Sequence, residues 1–100
     1  MTPRPVVWSE RALTAFVQSV REEAGRAPDA AHLLASRTVE TVRLVARFPM
    51  SRPGRVAKTY EKPIHGVAYR LVYDVEPEVI TVLAVIAEPD ADQAAVSSAS

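Results

Sequence analysis

The chain reads as an α+β domain: an N-terminal strand, then an antiparallel helical hairpin packed on an antiparallel β-sheet. Three features predict this. Two consecutive stretches repeat apolar residues at helical spacing, a later run alternates apolar with polar residues, and a final run is apolar throughout.

The first element is a short strand in the apolar run from Pro5 to Trp8. Ser9 follows as an N-cap and Glu10 stands in the first turn, where a carboxylate favours the helix dipole. Leu13, Phe16, Val17, Val20 and Ala24 then share one face of a 3.6-residue period, and Gly25 reads as the stop. A second helix opens near Pro28 or Asp29, carries Leu34, Thr38, Thr41, Val42, Val45 and Phe48 along one side, and ends at Pro49. A joint of roughly three residues makes the two helices an antiparallel hairpin.

Residues 50–56 contain Pro53-Gly54 and read as a loop, after which strands are expected over 58–64, 68–76 and 79–88. In the second of these, Tyr69, Leu71, Tyr73 and Val75 alternate with Arg70, Asp74 and Glu76, so one face is core and the other polar. The last is apolar on both faces, so it is central in the sheet or has its outer face covered. Pro77-Glu78 between these two runs is a compact turn. From Pro89 onward the residues are small and polar without a period, so residues 1–88 are expected to form one domain and 89–100 a disordered tail.

With 100 residues the chain can bury a single two-layer core, so any site sits on the surface or in a shallow groove. It has no cysteine, which excludes disulfides, thiolate metal sites and cysteine nucleophiles and agrees with a cytoplasmic location. No apolar stretch approaches the about 20 residues that span a bilayer, and no signal peptide is visible. His32 and His65 are too far apart to form a metal-ligand motif, and there is no glycine-rich phosphate cradle, so neither metal nor cofactor is expected. Charge balances at 12 basic and 12 acidic residues, but Glu88, Asp90 and Asp92 lie at the C-terminal end. The remaining 12 basic and 9 acidic side chains give a mildly basic body of net +3, small for a nucleic-acid binder.

Three fragments, in this order, resemble the RelE/ParE superfamily of toxins from bacterial type II toxin–antitoxin systems. They are Val6-Val7-Trp8-Ser9-Glu10-Arg11-Ala12, then Phe48-Pro49 with Arg52-Pro53-Gly54-Arg55-Val56, then Tyr69-Arg70-Leu71-Val72-Tyr73-Asp74-Val75. The resemblance covers about residues 6–87 and favours the ParE-like branch through Arg52-Pro53-Gly54-Arg55. It implies a growth-inhibiting cytoplasmic protein of the kind that stabilises plasmids, neutralised by a cognate antitoxin. The ParE branch implies inhibition of DNA gyrase by binding, with no catalytic set; the RelE branch implies a ribosome-associated endoribonuclease cutting mRNA. A non-toxic interaction module of the same fold is a third reading.

Under the ribonuclease reading Arg70 is the electrostatic stabiliser of the phosphoryl transition state. Arg52, Arg55, Lys58, Tyr60 and Lys62 are candidate contacts to nucleic acid or to a protein target, with Lys58, Tyr60 and Lys62 on one side of a strand; the same cations also read as solvated charges on a polar face. The end of the last strand, Ala84-Val85-Ile86-Ala87-Glu88-Pro89, lacks the histidine or tyrosine that the ribonuclease branch places there as general acid. His65 sits in a His-Gly turn. Ile80, Val82 and Ile86 are candidate antitoxin contacts if they lie on an outer face; the alternative is that they pack beneath the helices.

Overall fold

A computed structural model describes residues 3–49, 52–53 and 58–88, with only the backbone of 52–53. The element order is β1 (Val6–Trp8), α1 (Glu10–Arg26), α2 (Pro28–Arg47), β2 (Arg52–Pro53), β3 (Thr59–Ile64), β4 (Tyr69–Val75) and β5 (Ile80–Ala87). The expected tail over 89–100 and most of the expected loop over 50–56 lie outside the described residues.

The five strands form one sheet in the order β1-β5-β4-β3-β2, with the helical hairpin on one face. The sheet is mixed. The β2–β3, β3–β4 and β4–β5 pairs are antiparallel, whereas β1 pairs parallel to β5, Val6 opposite Ile80 and Trp8 opposite Val82. The hairpin geometry is readable from short turns, but two helices and three strands separate β1 from β5, so no local turn signals that the two lie side by side and parallel.

Helix α1 starts as its cap residue dictates: the Ala12 N–H donates to Ser9 Oγ at 3.0 Å. It does not stop at Gly25 but runs to Arg26, and one residue, Ala27, joins it to α2. The break comes from Pro28, which has no N–H and holds the preceding residue extended; Ala27 has φ −163° and ψ 132°. The buried line of α1 is also rotated from the expected one. Ala12 is fully buried over the sheet and Phe16 meets Trp8 with ring centroids 5.2 Å apart, while Leu13, Val17 and Ala24 are exposed. A small residue at Ala12 lets the helix lie close to β5, and that approach sets the rotation. In α2, Leu34, Thr38, Thr41 and Val45 are buried as the spacing predicts. Phe48 leaves the helix at its C-cap with φ −130° and is 68% exposed.

The core beneath the helices is Ala12, Val45, Ile64, Leu71, Tyr73, Ile80, Val82 and Val85. Strand β5 presents Val82 and Val85 to the same face although they are three residues apart. A bulge allows this: Val72 faces Ala84 while Tyr73 faces Val82, so Leu83 is passed over in the ladder. Tyr73 is completely buried, and its hydroxyl donates to the Pro49 carbonyl at 2.8 Å, tying the exit of α2 to β4. At the opposite end the Tyr69 hydroxyl donates to Glu23 Oε1 at 3.0 Å, tying the last turns of α1 to the start of β4.

The β3–β4 turn over 65–68 depends on Gly66, whose φ is +86° and whose missing Cβ would lie 3.1 Å from Arg37 Nε. Gly66→Ala is expected to cost roughly 1–2 kcal/mol of unfolding free energy, measured by urea denaturation; an unchanged midpoint would show that the turn tolerates a side chain.

Burial and the Glu23 carboxylate raise the Tyr69 pKa above 10.0. The proton is therefore held more tightly in the folded state. This contribution to stability is complete below the unfolded value and is lost as pH rises through the folded one. Tyr69→Phe is expected to flatten the fall in melting temperature above pH 10; an identical slope in both proteins would assign the alkaline loss elsewhere.

Candidate functional site

Strand parity decides which candidate residues can act together. Tyr60 and Lys62 stand opposite Tyr73 and Leu71, both fully buried on the helix side, so this part of β3 looks toward the hairpin. Arg70 stands opposite Pro63 and Ile86 and belongs to the outer face, with Glu61 of β3 on that same side. The expected strip of Lys58, Tyr60 and Lys62 therefore does not share a face with Arg70. Lys58 precedes the strand in a turn with φ 69°, so it is also out of register with the other two. Arg52 pairs with Glu61 along the backbone, and its side chain and Arg55 lie outside the described residues.

Arg70 is held between two carboxylates. Its Nη1 donates to Glu61 Oε1, and its Nε lies 2.7 Å from Glu88 Oε1 in an ion contact off the N–H direction. The three side chains are only 20%, 10% and 17% exposed for Arg70, Glu61 and Glu88. The Glu88 backbone N–H also donates to the Ala68 carbonyl at 2.8 Å, which extends the β4–β5 ladder by one bond and fixes that carboxylate beside the guanidinium. Charge attraction in a partly dehydrated site makes this pair of contacts stronger than surface ion pairs. Chemically, the arginine is a clamp across β3, β4 and the end of β5, with its charge already matched. A phosphate could reach it only by displacing a carboxylate of the same chain.

The sequence singled out Arg70 but not its partners. Glu61 lies nine residues earlier, and only the β3–β4 register shows that it shares a face with Arg70. Glu88, at the strand end that lacks a histidine or tyrosine, is the second ion-pair partner of Arg70. Among the proposed antitoxin contacts, Ile80 and Val82 point under the helices at 0% and 1% exposure, so the condition that would have made them partner residues is not met. Ile86 is 45% exposed on the outer face opposite Arg70. His65 is exposed in the β3–β4 turn and His32 is exposed on α2. Among the described residues no three potential ligands are grouped as a metal site, and no helix is long and apolar enough to cross a membrane.

No protein-family model matches the chain, and no curated protein matches it either. Solved structures do. A chain from the chromosomal ParDE TA system of P. aeruginosa superposes with a TM-score of 0.77 at 15% identity, over 85% of this chain and 96% of that one. The isolated E. coli RelE toxin superposes with a TM-score of 0.53 at 23% identity, over 97% of this chain and 99% of that one. At these identities the likeness establishes the fold: two helices on a mixed sheet, as in the RelE/ParE structures, with the ParDE chain the better match.

Removing the guanidinium would leave two low-exposure carboxylates facing each other. Arg70→Ala is expected to lower unfolding free energy by about 1–3 kcal/mol, and Glu88→Gln by less, because Arg70 keeps Glu61. Urea midpoints measure both; a wild-type midpoint for Arg70→Ala would show that the clamp does not hold the sheet.

Proposed function

We propose that this protein is the toxin component of a bacterial type II toxin–antitoxin system, acting in the cytoplasm by binding an essential target and neutralised by a cognate antitoxin. DNA gyrase is the leading target. The RelE/ParE fold supports the toxin role, since the likeness covers nearly the whole of both matched chains. The observation that favours binding over catalysis is the state of Arg70. A transition-state stabiliser must direct its charge at the substrate, whereas this guanidinium is engaged by Glu61 and Glu88. Its neighbour Tyr69 cannot move a proton there, because its hydroxyl lies on the opposite face and is bound to Glu23.

Inhibition by binding needs surface and shape rather than a proton relay, and the fold offers both on the helical hairpin and at the sheet edge. The near-neutral charge points the same way, because an mRNA- or ribosome-binding surface draws on an excess of cations.

The test is induction of the chain alone in a bacterial host, following DNA synthesis, protein synthesis and mRNA integrity together. Early loss of DNA synthesis with intact messages is the expected result. Early loss of translation with cut messages would replace it with the ribonuclease reading, and unimpaired growth would sink toxicity altogether. Arg70→Ala has to be compared with Arg70→Lys at matched folded fraction, since the alanine variant weakens the sheet whatever the activity is.

A further inference from the structure

Helix α1 turns two large apolar side chains to solvent. Ala12 is buried over the sheet, Phe16 lies against Trp8, and the Glu23 carboxylate accepts from the Tyr69 hydroxyl, so these three mark the packed face. Leu13 and Val17 each come one residue after a packed one, about 100° further around the helix, and are 51% and 41% exposed. Glu10 and Arg21 extend them at both ends into one stripe of helical spacing, about 17 Å long at 1.5 Å per residue. Both charged side chains are exposed, and neither forms an ion pair among the described residues.

The order along the stripe is acid, apolar, apolar, base, which is complementary to itself only when reversed. A parallel copy would set Glu10 against Glu10 and Arg21 against Arg21, and like charges so placed oppose association. An antiparallel copy related by a two-fold axis sets Glu10 against Arg21 at both ends. With the axis midway between those two, Leu13 comes within about 1.5 Å of the level of Val17 in the other copy, so the apolar pair also meets reciprocally. The helix dipoles then oppose each other, which favours the same direction. One register satisfies charges and apolar contacts together, and the two-fold axis closes the assembly at two copies.

We propose that this stripe is the contact surface of a homodimer, in which two copies of the chain pack α1 against α1 antiparallel, Leu13 and Val17 at the centre and a Glu10–Arg21 pair at each end. The occupant is a second copy because the charge pattern that the stripe requires of its partner is the one it carries itself. The surface lies on the helix side of the molecule, whereas the Arg70 clamp is on the outer face of the sheet, and the proposal does not rest on the toxin reading. A stripe of this length buries less than the roughly 800 Å² per copy of a standard interface, so the dimer is weak, with a dissociation constant of about 10–100 μM.

Sedimentation equilibrium of the full chain at low salt, from about 5 to about 500 μM, measures the association. A monomer–dimer equilibrium is expected. Val17→Asp should weaken it at least about tenfold by placing a carboxylate in the apolar centre. Glu10→Arg and Arg21→Glu should each weaken it by about tenfold, since each sets like charges face to face at both ends, and the two swaps combined should restore it to within about threefold of wild type. Leu44→Asp, on α2, should leave it unchanged. All four positions are exposed, and circular dichroism with urea midpoints establishes that each variant is folded. A chain monomeric throughout the range overturns the proposal, as does a dimer that survives Val17→Asp or that Leu44→Asp dissociates. Single swaps without effect, or a double swap as weak as either single one, overturn it equally.

Discussion

Everything in this fold is arranged around the burial of β5. It lies between β1, its parallel neighbour, and β4, its antiparallel one, and its residues Ile80, Val82 and Val85 form the floor on which α1 rests. A strand with apolar residues on both faces is a liability in water, since each turn of the pleat exposes what the next one hides. The bulge at Leu83 eases the problem. It moves Val85 to the helix side and leaves the outer side with Thr81, Ala84 and Ile86, a smaller and more mixed surface. The helical hairpin then has one row to cover, and the capping serine and small Ala12 bring α1 close enough to do it.

The clamp on the outer face belongs to the same arrangement. With helices on one face only, the other must be held by contacts that water does not easily replace. Arg70 joins three segments there through two carboxylates, at a depth where ion pairs keep much of their strength. An arginine in this setting is a poor candidate for chemistry while its partners stay in place, and a good one for keeping β3, β4 and the end of β5 in register. Apolar side chains also remain exposed on the helices, Leu13 and Val17 on α1 and Leu33, Val39 and Leu44 on α2.

Much of this was legible from the residues. The second helix could be read nearly completely, because Leu34, Thr38, Thr41 and Val45 repeat at a period that only one face can satisfy. The first helix misled because Leu13 and Val17 outweigh Ala12 in hydropathy, whereas closeness of approach selected the smaller residue. The grouping of the candidate site residues was not legible in the same way. Whether Lys62 or Glu61 shares a face with Arg70 depends on the length of the turn after Ile64, and a shift of one residue inverts the answer. Ile80 and Val82 were ambiguous for a similar reason, since a run apolar on both faces carries no parity signal, and a bulge within it leaves none in composition.

The parallel pairing of β1 with β5 also sets an order of assembly. The β4–β5 hairpin is local and can close as soon as its compact turn has formed, but Val6–Trp8 has no partner until Ile80–Val82 exists. Synthesis delivers β1 first and its partner last. A chain that has not yet reached β5 therefore carries an unpaired strand and an uncovered helical hairpin, and β5 completes the sheet and the core in one step. Arrival of β5 is thus the event that makes the native surface available, since without it β1 has no partner and α1 no floor.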